Sequence, residues 1–498
     1  MIANAIDKAI AVFAPGVALK RLVNRTKFAA LSAYRAASKD RLNRDWQAKN
    51  LSPDAAIIPD KATVDARARD MVCNNDYAKS YVRYMDRSAV GTGMQPAPQV
   101  RLLDGKLDRA KNKLLRGLFW DWATDRMLVD MEHRRTFTGI QRWAVSEFAT
   151  VGECFLKIAY QRKMNGVGLS FQLIESEQLD RYRTAGENNN EVRGGIEVNE
   201  FGAPVAYWVY PRHPNDIVGT SRPTPMLNEA VRHPADTIIH VYDPDRARQT
   251  RGMSPMACSM ERLRGLSEYD RAQLVAARAE ANIGLVIKSD NAGMRESLGI
   301  DPETGERTNQ QSSMDQFASL PFMVAELQPG EEIQPFVPTR PGGSYQPFVQ
   351  AQLRASSAGM GASYEQVARD FTTTNFSGLR QALSEDRRET EMVRQVLDEC
   401  LLTPVWKLFV RFAALEGRFG PGVNLAQLSY AVWRGPAYPW VDPVKDLKAT
   451  KEAIDIGIMS NEEAALERGR DWYEVQDQLA EEAAYRASLG NPVPEPTQ

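Results

Sequence analysis

Residues 254–281 read S-P-M-A-C-S-M-E-R-L-R-G-L-S-E-Y-D-R-A-Q-L-V-A-A-R-A-E-A, and this stretch decides how the chain is built. Ser254 before Pro255 has the form of a helix start, a hydroxyl cap followed by proline at the first helical position. Met256, Leu263, Leu274 and Ala281 are spaced 7, 11 and 7 residues apart, which keeps them on one stripe. The segment predicts a rod of about 40 Å, at 1.5 Å per residue. Its other faces are charged, so the stripe needs a cover that the segment itself does not supply.

The cover is sought downstream. From Gly284 to Gly343 the chain is irregular, with short apolar runs, the polar stretch D-P-E-T-G-E-R-T-N-Q-Q-S-S and several prolines. This predicts a small β-containing module with an insertion. Ser344 then caps a second helix carrying Phe348, Val349 and Leu353, which ends near Gly359 and Gly361. A helix goes out, a module follows, and a helix comes back. Beyond D-F-T-T-T-N-F-S-G-L-R (370–380), Leu379 to about Gly417 reads as helix, densely charged and then apolar around Trp406, Leu408, Phe409 and Phe412. Pro404 predicts a kink in it. Three capped helices close the chain: Asp442-Pro443 to Gly457, Ser460 with Glu463 to Gly469, and Asp471 with Glu474 to Gly490. Residues 491–498 read as a disordered tail.

Upstream, Thr63 to Tyr84 predicts a helix or helix pair, ended by V-G-T-G-M-Q-P (90–96). Lys106 to Thr124 is a helix with Leu107, Ala110, Leu114, Leu118 and Trp122 on one face, and Phe137 to Val151 is another. Then C-F-L-K-I-A-Y (154–160), L-S-F-Q-L-I (169–174), V-A-Y-W-V-Y (205–210) and T-I-I-H-V-Y (237–242) predict strands of one mixed or antiparallel sheet. The fold class is α+β.

Composition bounds the function. The 62 basic and 64 acidic residues nearly cancel, whereas a protein gripping nucleic acid over its whole surface shows a basic excess. Locally the first fifty residues hold ten Lys or Arg against three Asp, an arm that is either a solvated terminus or a contact for DNA, an acidic partner or lipid. Cys73, Cys154, Cys258 and Cys400 lie far apart and predict reduced, mostly buried thiols in a reducing compartment. Ala9 to Leu19 is apolar but broken by Pro15-Gly16, and reads as a packing segment. No apolar run reaches about eighteen residues, so no membrane span and no membrane partner is expected.

Catalytic signals are sparse. There is no nucleotide-binding loop, no nucleophile elbow and no metal-ligand spacing among His133, His213, His233 and His240. No catalytic residue, metal or cofactor is expected. His240, inside a strand, reads as a core or interface residue. The alternative is a soluble cytoplasmic metal-dependent hydrolase using the paired carboxylates Glu175, Glu177, Asp243 and Asp245. The preferred reading of those pairs is as turn caps and interface salt bridges.

Several stretches resemble the lambda-type portal proteins of tailed bacteriophages. They are R-A-R-D-M-V-C-N-N-D-Y-A (67–78) with V-G-T-G-M-Q-P, G-E-C-F-L-K (152–157), D-P-D-R-A-R-Q-T-R-G-M-S-P (243–255), R-P-G-G-S-Y-Q-P-F-V (340–349), D-F-T-T-T-N-F-S-G-L-R and E-R-G-R-D-W-Y-E-V (467–475). Their order and spacing carry the resemblance over roughly residues 45 to 490. It implies the portal fold of wing, stem, clip and crown, assembled as a ring, typically a homododecamer, at one capsid vertex of the virion. Double-stranded DNA would be packaged and ejected through the ring. Further implied partners are the terminase large subunit, the major capsid protein or scaffold and a head–tail adaptor, with assembly in the host cytoplasm. Mapped onto this chain, 1–45 is a basic arm, 46–253 the wing, 254–282 a stem helix, 283–343 the clip and 344–369 the second stem helix. The tunnel loop falls at 370–378, the long kinked wing helix and following segment at 379–441, and the crown at 442–490.

The resemblance places the tunnel loop at the narrowest part of the channel. Phe371, Thr372, Thr373, Thr374, Asn375 and Phe376 are its candidate residues, uncharged groups flanked by phenylalanines expected to anchor its ends. A loop facing sliding DNA is best without cations, since bound charges release counterions and hold phosphate tightly. Arg369 and Arg380 are candidate phosphate contacts. Met256, Leu263, Leu274, Phe348 and Leu353 are the candidate stem-packing residues.

Overall fold

The computed structural model describes residues 49–489, with 14, 16 and 17, except for 103, 162–165, 217–228, 283–284, 290–330, 336–342, 344, 373–374, 421–423 and 439–441. Nearly all of the basic arm, the tail, the Ser344 cap, Thr373, Thr374 and most of the 283–343 module therefore lie outside the described residues. The chain divides into a unit of Met1–Ala55 and a large one of Ala56–Gln498, and the description below concerns the latter.

Helices α1 (Pro53–Asn74) and α2 (Asp76–Ala89) form a pair. Asn75 separates them, its side-chain oxygen accepting the Ala78 N–H at 2.8 Å to cap α2. After β1 (Gln95–Pro98) come α3 (Arg109–Thr124), the short α4 (Arg126–Val129) and α5 (Phe137–Val151). The buried face of α3 differs from the expected one. Leu115, Phe119 and Trp122 are inside and Leu114 is 51% exposed. Both faces have helical spacing, but only this one sends two large aromatics inward, where Phe119 lies 5.7 Å from Phe137 and 5.1 Å from Phe409.

The strands are β2 (Glu153–Tyr160), β3 (Leu169–Ile174), β4 (Glu191–Arg193), β5 (Ile196–Val198), β6 (Pro204–Val209), β7 (Val231–Pro234) and β8 (Ile238–Tyr242). They make two antiparallel sheets, ordered β3-β2-β8 and β4-β5-β6-β7, and not the single sheet expected from the sequence. The reason lies in β2, which is buried on both faces. Its even residues Cys154 and Leu156 join the main core under the helices. Its odd residue Phe155 joins a second core with Ile174, Ile196, Val198, Tyr207, Val209 and Ile238, filled from the other sheet.

The long helix α6 (Met260–Asn282) starts later than the Ser-Pro signal suggests. Ser254 donates to the Thr150 carbonyl at 2.6 Å, so its hydroxyl is tied to α5 and the next residues form turns. Beyond it β9 (Leu285–Ser289) and β10 (Glu331–Pro335) pair antiparallel, and α7 (Tyr345–Gly359) returns. Tyr269 of α6 meets Tyr345 at 5.9 Å and Phe348 at 5.0 Å, and the Tyr345 hydroxyl donates to Asp270 at 2.8 Å. The out-and-back pair is thus present in the described residues.

Then follow α8 (Tyr364–Ala368), α9 (Phe376–Leu397), a π-helical turn at Asp398–Leu402, α10 (Thr403–Leu415), α11 (Leu425–Leu428) and β11 (Ala431–Arg434), which pairs with β1. The π turn sits where Pro404 predicts a kink: a proline cannot donate to the preceding turn, and the wider turn accommodates that. Helices α12 (Pro443–Asp455), α13 (Asn461–Glu467) and α14 (Trp472–Ser488) begin at Asp442, the Ser460–Glu463 capping box and Asp471, as the sequence indicates. None of the three buries a side chain.

An ionic node joins α1, α5, the two sheets and the approach to α6. Glu153 is fully buried. Its Oε1 takes Arg251 Nη2 at 2.6 Å, Ser176 Oγ at 2.8 Å and Lys61 Nζ at 3.1 Å. Its Oε2 takes the Gly252 N–H at 2.7 Å and His240 Nε2 at 3.2 Å. Arg251 also donates to the carbonyls of Ser176, at 3.0 Å, and of Gly194. The chain passes itself closely here: a Cβ on Gly152, whose φ is +88°, would fall 2.1 Å from the Met253 oxygen. Burial alone would raise the Glu153 carboxyl, but Arg251, then Lys61 and His240, outweigh it and hold it well below the usual range.

Arg251→Ala leaves Glu153 buried without its main counter-charge, and we expect a loss of about 3–5 kcal/mol in denaturant unfolding. Burial pushes His240 below its ordinary 6.5, so the folded protein keeps it neutral while the unfolded chain takes a proton as pH falls through that value. Stability therefore declines below pH 6.5, and His240→Gln should flatten that part of the pH–stability curve, read by thermal unfolding across pH.

Candidate nucleic-acid interface

The segment before α9 is built around Asp370. Its Oδ1 accepts the Thr372 N–H at 3.1 Å and the Thr372 hydroxyl at 2.6 Å, and its Oδ2 accepts the Tyr364 hydroxyl at 2.7 Å. The Thr372 hydroxyl, then Tyr364 and the Thr372 N–H, lower the Asp370 carboxyl to about 2. Burial and the same bond push the Tyr364 phenol up to about 12. Preceding them, Arg369 is exposed and ends α8 at φ +54°, in the left-handed region.

The segment is shorter than the sequence suggests. Helix α9 begins at Phe376, and Asn375 caps it by accepting the Gly378 N–H at 2.7 Å. Ser377 and Gly378 thus lie in the first helical turn. Phe371 is 48% exposed, so within this chain Asp370, and not Phe371, anchors the segment's start. Thr372 and Asn375 are exposed. Arg380 is exposed and 3.9 Å from Asp446.

Sequence reading missed how α9 is held. S-E-D-R-R-E-T-E-M-V-R is densely charged, yet Asp386, Thr390 and Arg394 are buried in a row four residues apart, ahead of Leu397. Asp386 takes the Ser363 N–H at 2.9 Å and its hydroxyl at 2.7 Å. Arg394 donates to the carbonyls of Ser88 at 2.9 Å, Ala89 at 3.0 Å and Pro436 at 3.0 Å, at the negative end of α2. The i, i+4, i+8 spacing was the available signal.

Of the stem-packing candidates, Met256, Leu263 and Leu353 are buried and Phe348 packs on Tyr269 while 43% exposed. Leu274 is 52% exposed, because the stripe continues through Leu266 and Tyr269. The carboxylates of the hydrolase alternative do not converge. Glu175 and Glu177 gather with His213, their ligand atoms within 4.8 Å, while among the described residues Asp243 and Asp245 are exposed and outside that group. Arg69 occupies both Glu177 oxygens, at 2.5 and 2.9 Å, and bridges to Glu147. No helix of the described residues is long and apolar enough to cross a membrane.

The sequence profile described as "Phage portal protein, lambda family" matches residues 39–394. The chain belongs to that family. It is 28% identical to the probable portal protein of Halomonas phage phiHAP-1 over 93% of this chain and 88% of that one. It is 25% identical to portal protein B of Escherichia phage lambda over 90% and 88%. Among solved structures it resembles a chain from the neck of an empty GTA particle, with a TM-score of 0.45 and 17% identity over 82% of this chain and 93% of that one. In this portal-family chain, Asn375→Ala should cost the start of α9 about 1 kcal/mol, seen as faster amide exchange across its first turn with the global melting temperature little changed.

Proposed function

We propose that the chain is a non-catalytic subunit of a ring, a homododecamer, at the unique capsid vertex, through which double-stranded DNA is packaged and ejected. Family membership supports this reading, as does the element order: an α+β body, a helix out, a β pair, a helix back, a short polar segment and a long return helix. In these terms 46–253 and 379–441 form the wing, 254–282 and 344–369 the stem, 283–343 the clip and 442–490 the crown. The terminase large subunit docks on the clip, a head–tail adaptor follows it, and the major capsid protein or scaffold surrounds the ring. Assembly takes place in the host cytoplasm and the product resides in the virion.

The observation that carries the channel assignment is the chemistry of the segment before α9. Its exposed groups Thr372 and Asn375 are uncharged, and the one carboxylate, Asp370, has its oxygens engaged by Tyr364 and Thr372. Such a surface offers DNA weak hydrogen bonds without releasing counterions, so passage is not slowed by tight phosphate contacts. Near-zero net charge serves the same end, and the exposed half of α6 is left for neighbouring copies in the ring.

Negative-stain class averages of the purified protein should show rings with an open axial channel. Replacing Thr372, Thr373 and Thr374 together with glycine should leave those rings intact and reduce DNA packaging or retention several-fold. Loss of ring assembly in that variant would make the segment an intersubunit contact and remove the channel assignment.

A further inference from the structure

The segment before α9 is not a free connector. Ser363, the residue that opens α8, makes no side-chain cap to its own helix, and its hydroxyl is given to buried Asp386 on α9 instead. One residue on, the Tyr364 ring is buried with Arg354 of α7 over its face at 5.3 Å. Its hydroxyl reaches forward to Asp370 at 2.7 Å. Asp370 passes the constraint on through two bonds to Thr372, one from the backbone. A continuous path of contacts therefore runs from α7 through Tyr364 and Asp370 to the exposed threonine.

We propose that Tyr364 and Asp370 are positioning residues that lock the exposed turn at Thr372 to the returning helix α7, so that the turn and the stem move as one body. The physical argument is that the two groups are matched. A buried phenol with a single donor meets a carboxylate whose other oxygen already closes the turn, so the turn geometry and the helix position are set by one side chain. A hydrogen bond to a charged acceptor is stronger than a neutral one. Under the channel reading, on which its functional meaning rests, the lock would fix how far the turn stands into the path of DNA and deliver load on it to α7.

Tyr364→Phe removes the hydroxyl and keeps the buried ring beneath Arg354. In assembled full-length rings, we expect amide exchange at Thr372, followed on the millisecond-to-second scale, to rise roughly fivefold in Tyr364→Phe. Asp370→Ala should raise it at least as much, and the double variant should exchange no faster than Asp370→Ala alone, since both act through one path. Arg354→Ala, on α7 and exposed, removes the contact over the Tyr364 ring and is a second probe with the same expected direction should Tyr364→Phe misfold. Unchanged exchange in Tyr364→Phe and Arg354→Ala, or additive effects in the double variant, would overturn the lock. Packaging assays separate the two ideas. Faster exchange with reduced packaging supports both, while faster exchange with full packaging keeps the lock and removes the segment from the DNA path.

Discussion

A buried carboxylate is tolerated only when counter-charges and hydrogen bonds replace the water it has lost, and Glu153 is where this chain meets that demand. Its partners come from α1, from the turn after β3, from β8 and from the residues leading into α6. No two of these are neighbours in sequence. Satisfying one carboxylate therefore fixes four segments at once, and Arg251 extends the constraint to the second sheet through the Gly194 carbonyl. Gly152 and Gly252 make this possible, because only glycine lets the two backbones approach so closely.

The long helix α9 is governed by a related device. It enters the body by a buried file of Asp386, Thr390 and Arg394, each satisfied by backbone or by Ser363, and not by an apolar stripe. Polar attachment of this kind is directional: Arg394 needs the three carbonyls at the end of α2 and beside β11, whereas leucines would accept several registers. The segment before α9 thus projects from a helix whose register is defined, and Asp370 holds its other end.

Much was legible in order and local chemistry. The α+β class, the helix–module–helix excursion, the caps at Asp442, Ser460 and Asp471 and the break near Pro404 rest on interactions within a few residues, which pattern and capping signals report directly. The stretches that carry the family resemblance include G-E-C-F-L-K and the run ending R-G-M-S-P, and these two supply Glu153 and Arg251. Their spacing betrayed nothing of the contact, since the two residues are 98 positions apart.

By itself, then, the sequence determined the long helices, four of the strands, their order and the polar character of residues 370–375, because propensity, capping and periodicity are short-range. Tertiary structure alone decided which faces are inside. Leu115 and Phe119 displaced Leu114 as the inner face of α3 because the aromatics of α5 and α10 were there to receive them. Ser254 became a ligand of α5 and not a cap, and one sheet became two because Phe155 found a second layer to fill its other face. The burial of Asp386 and Arg394 was not legible in a densely charged run, because charge pattern cannot show that carbonyls and a serine from distant segments would replace the water.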